Sequence, residues 1–275
     1  MKRGISRRQI LAGGGIGALA SLAGCLATGR GETETVTKTY RIDDLETLSL
    51  AAQNGSVTVE GNQGDAIEIR GHKAAPTESS LESLTIETSR NDGHLTVETQ
   101  RDDTPFLFGP DPILDLEVTV PEGVRLARAK TVNGDVEVRN VVGELMAETT
   151  NGQIDVEGVD GTLVSESTNG SIRAADVRSD VSVNTTNGSI DVTLAADGGD
   201  LTAESTNGEI TVTAPASLDA AINAAATNGE ISIEGFDESD VSGRGSVSVT
   251  LDEGTRRVRL DTTNGDISVR SETVA

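Results

Sequence analysis

The residues equipped for chemistry in this 275-residue chain are few and scattered. His72 and His94 are the only histidines, and neither has a second His, Cys or carboxylate at the spacing of a metal motif. Hydroxyl groups are abundant, but no histidine base is placed to activate one, so nucleophilic catalysis is disfavoured. The sequence contains no Gly-x-Ser-x-Gly elbow, no Walker-type loop and no dinucleotide fingerprint between strand and helix. Paired carboxylates could cleave glycosidic bonds, yet choosing a pair among 45 acids would be arbitrary. With no Trp and one Tyr, platforms for sugar stacking are also nearly absent. Asp197-Gly198-Gly199-Asp200 and the acids beside several Asn-Gly pairs offer hard oxygen ligands for Ca2+. The Gly-Gly-x-Gly-x-Asp nonapeptide of calcium-binding β-rolls is missing, so solvated surface acid is the better reading. The expectation is therefore no catalytic residue, no cofactor and no metal centre.

The one cysteine, Cys25, has a more definite chemistry. Leu22-Ala23-Gly24-Cys25 resembles the lipobox of lipoproteins, in which the Cys becomes the lipidated first residue after cleavage. Residues 1–24 carry Lys2, Arg3, Arg7 and Arg8 and no acid, followed by a short Gly-rich apolar run: an export signal rather than a membrane span. Ser6-Arg7-Arg8-Gln9-Ile10-Leu11 resembles the twin-arginine motif, read by a receptor for cargo that folds before crossing. Residues 25–36 are then the lipidated Cys and a polar tether, and the product is expected on the outer face of the cell membrane. A lone Cys also excludes an internal disulfide.

The elements that must carry any function are set by a repeated phrase. Val-Asn-Gly-Asp-Val at 132–136 returns as Thr-Asn-Gly followed by a polar residue and Ile, with asparagines at Asn133, Asn151, Asn169, Asn187, Asn207, Asn228 and Asn264. Each is followed by glycine: Gly134, Gly152, Gly170, Gly188, Gly208, Gly229 and Gly265. The gaps are 18, 18, 18, 20, 21 and 36 residues, and Arg244-Gly245-Ser246-Val247-Ser248-Val249 reads as a degenerate copy inside the last, double gap. Such a period marks a repeat architecture whose units bury their apolar faces only by stacking. Before each bend the apolar and small residues share the parity of the Asn, as in Leu145, Ala147 and Thr149; after the Gly the parity flips, as in Ile154 and Val156. Period-two alternation marks strands with one buried face.

Asn-Gly between alternating strands is also a strong hairpin signal, so an antiparallel β meander or sandwich is the alternative. A single-stranded parallel β-solenoid with coils of about 18 residues is favoured. One tripeptide at one phase lets Asn stack on Asn, and the Ala, Ser and Thr near each bend suit a thin cross-section. Residues 37–275 are expected to form one β-solenoid domain, with irregular coils over 37–125 and regular Asn-Gly repeats over 126–275. Asn54-Gly55-Ser56-Val57-Thr58-Val59 is an early copy, and Asp92-Gly93-His94-Leu95-Thr96-Val97 reads as a degenerate one. Phe106, Leu107 and Phe108, bracketed by Pro105 and Pro110, break the polar pattern. The favoured reading is a flap over the solenoid end, and the sharper one is an exposed anchor for a partner.

Charge narrows the partners. The net charge is −23, and with four bases in the signal, residues 25–275 carry 27 more acids than bases. That balance argues against nucleic acid and against electrostatic docking on anionic lipid. Dense Asp and Glu with three lysines after the signal (Lys38, Lys73, Lys130) resemble the surfaces of proteins from extreme halophiles, where salt screens self-repulsion.

An exported chain with Asn-Gly-x-Ile-x-Val repeats, preceded by the strand Leu116-Glu117-Val118-Thr119-Val120-Pro121-Glu122-Gly123, resembles the putative-adhesin family of β-strand-repeat proteins, a domain of unknown function. The resemblance covers residues 37–275 and implies a β-solenoid in a cell-surface setting, with no catalytic motif to transfer. The reading is a non-enzymatic surface lipoprotein that displays acidic faces to a surface protein or glycan. The alternatives are a glycan-active β-helix enzyme and a purely structural envelope protein.

Overall fold

A computed structural model describes residues 19–21, 30–42, 44–102, 110–236 and 240–272. Each regular unit is two strands meeting at Asn-Gly: Leu145–Asn151 bends at Gly152 and continues as Ile154–Asp160. Leu145, Ala147, Ile154 and Val156 are all buried. The five-residue step from Thr149 to Ile154 is odd, which resets the inward parity across the bend.

Successive units pair in parallel. Leu145 lies beside Leu163, Leu163 beside Val181 and Val181 beside Leu201 on one face. Ile154, Ile172, Ile190 and Ile210 align in the same way on the other. The chain is therefore a mostly parallel β-solenoid, and the antiparallel meander is excluded for the repeats. Backbone geometry at the bend explains why. A two-residue hairpin of type I′ needs φ > 0 at both central residues. Of the seven repeat glycines only Gly134 (151°), Gly152 (158°) and Gly265 (157°) have a positive φ, and no repeat asparagine does.

The early pair Asp92-Gly93 differs. Both residues are left-handed, at φ 48° and 77°, and Leu84–Asn91 runs antiparallel to His94–Arg101 across them. This corrects its reading as a repeat bend: it is a true hairpin. The strand beyond it still joins the stack, with Leu95 beside Leu48 and Val97 beside Leu50.

The two ends are built against sequence order. On the first face Leu201 pairs with Val258, and Ile222 lies outside Val258. The coil of Asn264 thus slots between those of Asn207 and Asn228. The chain runs out to an outermost layer at Ala220–Glu234, covers it with the antiparallel strand Val241–Leu251, and returns underneath through Arg256–Asn264. The 36-residue gap is therefore not two stacked coils, and Arg244–Val249 belongs to the covering strand. The N-terminal end mirrors this: Thr47–Ala51 sits between His94–Arg101 and Arg125–Lys130. On the second face of that end Ala66–Ala75 lies antiparallel outside Ile113–Pro121, and Glu32–Arg41 antiparallel outside Ala66–Ala75. Leu19–Ser21 runs antiparallel beside Thr35–Thr37. A helix of five residues, Glu78–Glu82, interrupts this end, its first turn capped by Thr77 Oγ1 accepting from Ser80 N.

A second bend explains how so thin a coil closes. Asn140, Gly158 and Asp176 hold equivalent places in three consecutive coils, and all are left-handed (φ 55°, 72° and 52°). Asn, Gly and Asp are the residues that visit this region at least cost. The core between the faces is narrow and aliphatic, with Ile and Val columns on one side and Leu with Ala, Ser or Thr on the other.

Candidate interaction surfaces

The Asn-Gly bends form a continuous spine with three bonded columns. The first is an exposed amide ladder: Nδ2 of each asparagine donates to Oδ1 of the asparagine in the coil before. Counting from the N-terminal end, the bonds are Asn133 to Asn54 (2.6 Å), Asn151 to Asn133 (2.7 Å) and Asn169 to Asn151 (2.9 Å). Asn187 to Asn169, Asn207 to Asn187, Asn264 to Asn207 and Asn228 to Asn264 follow, each 2.9 Å. Eight asparagines thus share seven uniformly directed bonds.

The second column lies beneath it. Two residues before six of the eight asparagines a hydroxyl donates to the glycine carbonyl of the neighbouring coil: Thr131 to Gly55 O (2.7 Å), Thr149 to Gly134 O (2.9 Å) and Thr185 to Gly170 O (2.9 Å). Ser167, Ser205 and Thr262 do the same. These hydroxyls are buried in the core side of the bend, where an unpaired polar group would be costly. The third column is backbone: Gly152 N donates to Asn169 O (3.0 Å) and Gly170 N to Asn187 O (2.9 Å). Glycine is required here by proximity. A Cβ on Gly170 would lie 1.7 Å from Gly152 O, and one on Gly152 1.9 Å from Gly134 O.

Outside the spine the two faces differ. On the first face Glu148, Glu166, Asn184, Glu204 and Asp261 form one outward column. Thr150, Thr168, Thr186, Thr206, Thr263 and Thr227 form another beside the Asn ladder, all exposed. At the N-terminal end of this face Glu148 pairs with Arg128 (2.5 Å) and Lys130 (3.6 Å). The second face interleaves signs: Arg173 lies between Asp155 and Asp191, and Arg139 meets Glu137 and Glu157. Along the second bend runs a groove of about 780 Å³, lined by Glu122, Asn140, Gly158, Asp160, Asp176 and Arg178 among others.

The candidate groups of the sequence fall as follows. All seven repeat Asn-Gly pairs come together in the spine, with Asn54-Gly55 as an eighth rung. His72 lies near Thr35 Oγ1 (3.2 Å) and Glu117 (3.2 Å) on the N-terminal cap, and His94 opens a strand elsewhere. The Asp197–Asp200 turn is drawn to arginine. Asp200 accepts from Arg257 N (2.9 Å) and Nε (2.8 Å), while Arg256 donates to Gly199 O and Ala195 O. These bonds to Arg257, the backbone one foremost, hold the Asp200 carboxyl below its usual range. Asp219 is lowered too, chiefly by the Thr255 N–H and then its hydroxyl. Among the described residues no group of three His, Cys, Asp or Glu side chains is placed to hold a metal ion. Arg7, Arg8, Cys25, Phe106, Leu107 and Phe108 lie outside the described residues. The threonine column was missed in the sequence, although the Thr of each Thr-Asn-Gly and its outward parity were the signal for it.

A parallel two-faced stack with this spine is a class of repeat domain that comparison places in a family. The Toastrack DUF4097 family matches residues 35–270, and the chain belongs to it. Among solved structures it is similar to a putative adhesin from Bacteroides fragilis NCTC 9343, at 12% identity and TM-score 0.45 over 86% of this chain and 96% of that one. It is also similar to a putative cell adhesion protein from Clostridium sporogenes ATCC 15579 (14%, TM-score 0.35, 88% and 100%). A third is a putative lipid binding protein from Parabacteroides distasonis ATCC 8503 (13%, TM-score 0.26, 87% and 97%). No curated protein matches the chain.

Proposed function

We propose that this protein is a non-enzymatic, lipid-anchored surface module that uses its long outer faces to contact a surface protein or glycan. The observation that carries the reading is the first face, where Glu166 and Glu204 repeat beside a column of exposed threonines on a rigid stack. Such a face offers extended, periodic hydrogen-bonding and charge rather than a convergent catalytic cleft. Among the described residues the two carboxyls with displaced pKa, Asp200 and Asp219, are both held toward the ionised form, opposite to what a general acid needs. Cys25 as the lipidated residue and Arg7-Arg8 as a twin-arginine signal supply the address, and cleavage before Cys25 would remove Leu19–Ser21 from the stack. The acidic surface belongs to a protein working in concentrated salt, which screens its self-repulsion.

The test is capture from the organism's own surface material in molar salt, with residues 26–275 as bait and a Glu166→Lys/Glu204→Lys bait beside it. A single protein or glycan enriched by the first bait and lost from the second supports the reading. Nothing enriched by bait shown to be folded overturns it in favour of a structural envelope role. Far-UV circular dichroism of the same bait, unchanged between molar and millimolar salt, counts against the salt adaptation.

A further inference from the structure

The eight Asn-Gly pairs are chemically fragile by nature. In an Asn-Gly sequence the glycine amide nitrogen can lose its proton to base and attack the asparagine Cγ. Ammonia leaves with the closure of a five-membered imide, and water then opens either carbonyl to give aspartate or isoaspartate. Glycine favours this because no Cβ hinders the approach. A repeat protein built on Asn-Gly must therefore restrain the very groups that react.

Within the stack it does so three times per rung. At Asn169 the side chain both donates, to Asn151 Oδ1, and accepts, from Asn187 Nδ2, each at 2.9 Å. The would-be nucleophile, Gly170 N, donates to Asn187 O at 2.9 Å. The bend is pinned from inside by Ser167 Oγ donating to Gly152 O. Asn151, Asn187, Asn207 and Asn264 are held in the same way.

One rung is held less fully than these. Asn228 donates to Asn264 Oδ1, but it is the last asparagine of the ladder, so no further rung donates to its own Oδ1. Beyond it lies the covering strand Val241–Leu251 in place of a further coil. The antiparallel strand outside shifts register between Ala226 and Ile231, leaving Thr227–Glu230 out of its pairing. Ala226 occupies the place of the Ser or Thr hydroxyl. The opposite end is not equivalent: there Ala52 replaces the hydroxyl and Asn54 keeps only the accepting half of the ladder, from Asn133 Nδ2, but Gly55 N donates to Asn133 O at 2.8 Å.

We propose that Asn228 is the modification site of this protein, the one repeat asparagine that deamidates spontaneously in the folded state. Conversion adds a negative charge at the outermost rung and removes the amide donor to Asn264. The isoaspartyl product also lengthens the main chain by one methylene at the bend.

The sequence supplies its own control, because Asn207 and Asn228 stand in identical pentapeptides, Thr-Asn-Gly-Glu-Ile. The folded protein is aged at mildly alkaline pH in molar salt and peptide-mapped by mass spectrometry, with isoaspartate scored by its fragment ions. Deamidation at Asn228 is expected at least tenfold faster than at Asn207 and Asn169, with Asn54 between, and the Asn207–Asn228 difference should vanish in concentrated urea. Equal rates at Asn207 and Asn228 in the folded protein overturn the proposal. So does a difference that persists in urea, since it would then owe nothing to the fold.

Discussion

The middle of the stack and its two ends solve the same problem in opposite ways. In the middle each coil is covered by a similar coil, so one phrase suffices and the asparagine amides, the hydroxyls two residues before them and the glycine N–H groups find their partners one layer on. At the ends there is no next coil, and a sheet edge would present unpaired N–H and C=O groups. The N-terminal end closes with side chains from Glu32–Arg41. Lys38 Nζ donates to Ile86 O at 2.6 Å, and Tyr40 meets Thr88 Oγ1 at 2.8 Å. Burial lowers the pKa of Lys38, against the pull of Glu87, and that desolvation is the cost of blocking the edge. The C-terminal end closes instead with a covering strand, which has no lysine, and tucks the last coil beneath. Uniformity belongs to the interior, and improvisation to the termini.

The largest effect that would break this contrast is steric. Gly170→Ala places a Cβ 1.7 Å from the Gly152 carbonyl in a layer that cannot move without its neighbours, so a loss of about 4 kcal/mol or more is expected in denaturant titration. Gly245→Ala in the covering strand meets nothing within 4 Å and suffers only its left-handed φ of 83°, a cost of about 1–2 kcal/mol. Equal losses at the two positions would erase the distinction between interior and end.

The next effect concerns the buried hydroxyl column. Thr185→Val leaves the Gly170 carbonyl without its side-chain donor and should cost about 1–3 kcal/mol in the same titration. Ala226→Ser offers the Gly265 carbonyl a donor that the outermost rung lacks, and a gain of up to about 1 kcal/mol is expected. A serine that destabilises would show that the end layer cannot adopt the interior geometry.

The smallest effect is electrostatic and depends on pH. The Asp200 carboxyl is depressed in the folded state, so its contribution is present above the unfolded value of 3.8 and is lost as pH falls through the lower folded value. Asp200→Asn should therefore be less stable than wild type at neutral pH, and the gap should narrow in acid below about pH 4, followed by thermal melting. A gap that widens in acid would contradict the pairing with Arg257.

The repeats were legible because their signal is local and redundant. The parity of Leu163, Ser165 and Ser167 before the bend and of Ile172 and Ala174 after it defines two strands and a buried side, and identical phase implies stacking. The ends were not legible for the same reason. Asp92-Gly93 and Arg244-Gly245 look like worn copies of the phrase, and nothing local separates a worn coil from a hairpin or a covering strand. Of the surface, the acids and threonines could be read by parity. Their alignment into columns, and the pairing of Asp200 with Arg257 across 57 residues, could not.

By itself the sequence determined the alternation, the bend and the need for glycine beside asparagine, because these follow from side-chain period and steric bulk within a few residues. Only the tertiary structure decided the order of the layers, with Asn264 between Asn207 and Asn228. The physical reason is that parallel coils of nearly equal inward shape pack almost equally well in any order. The sequence of layers is then fixed by which coil has covering strands to satisfy its outer edge, a property of the assembled stack rather than of any one repeat.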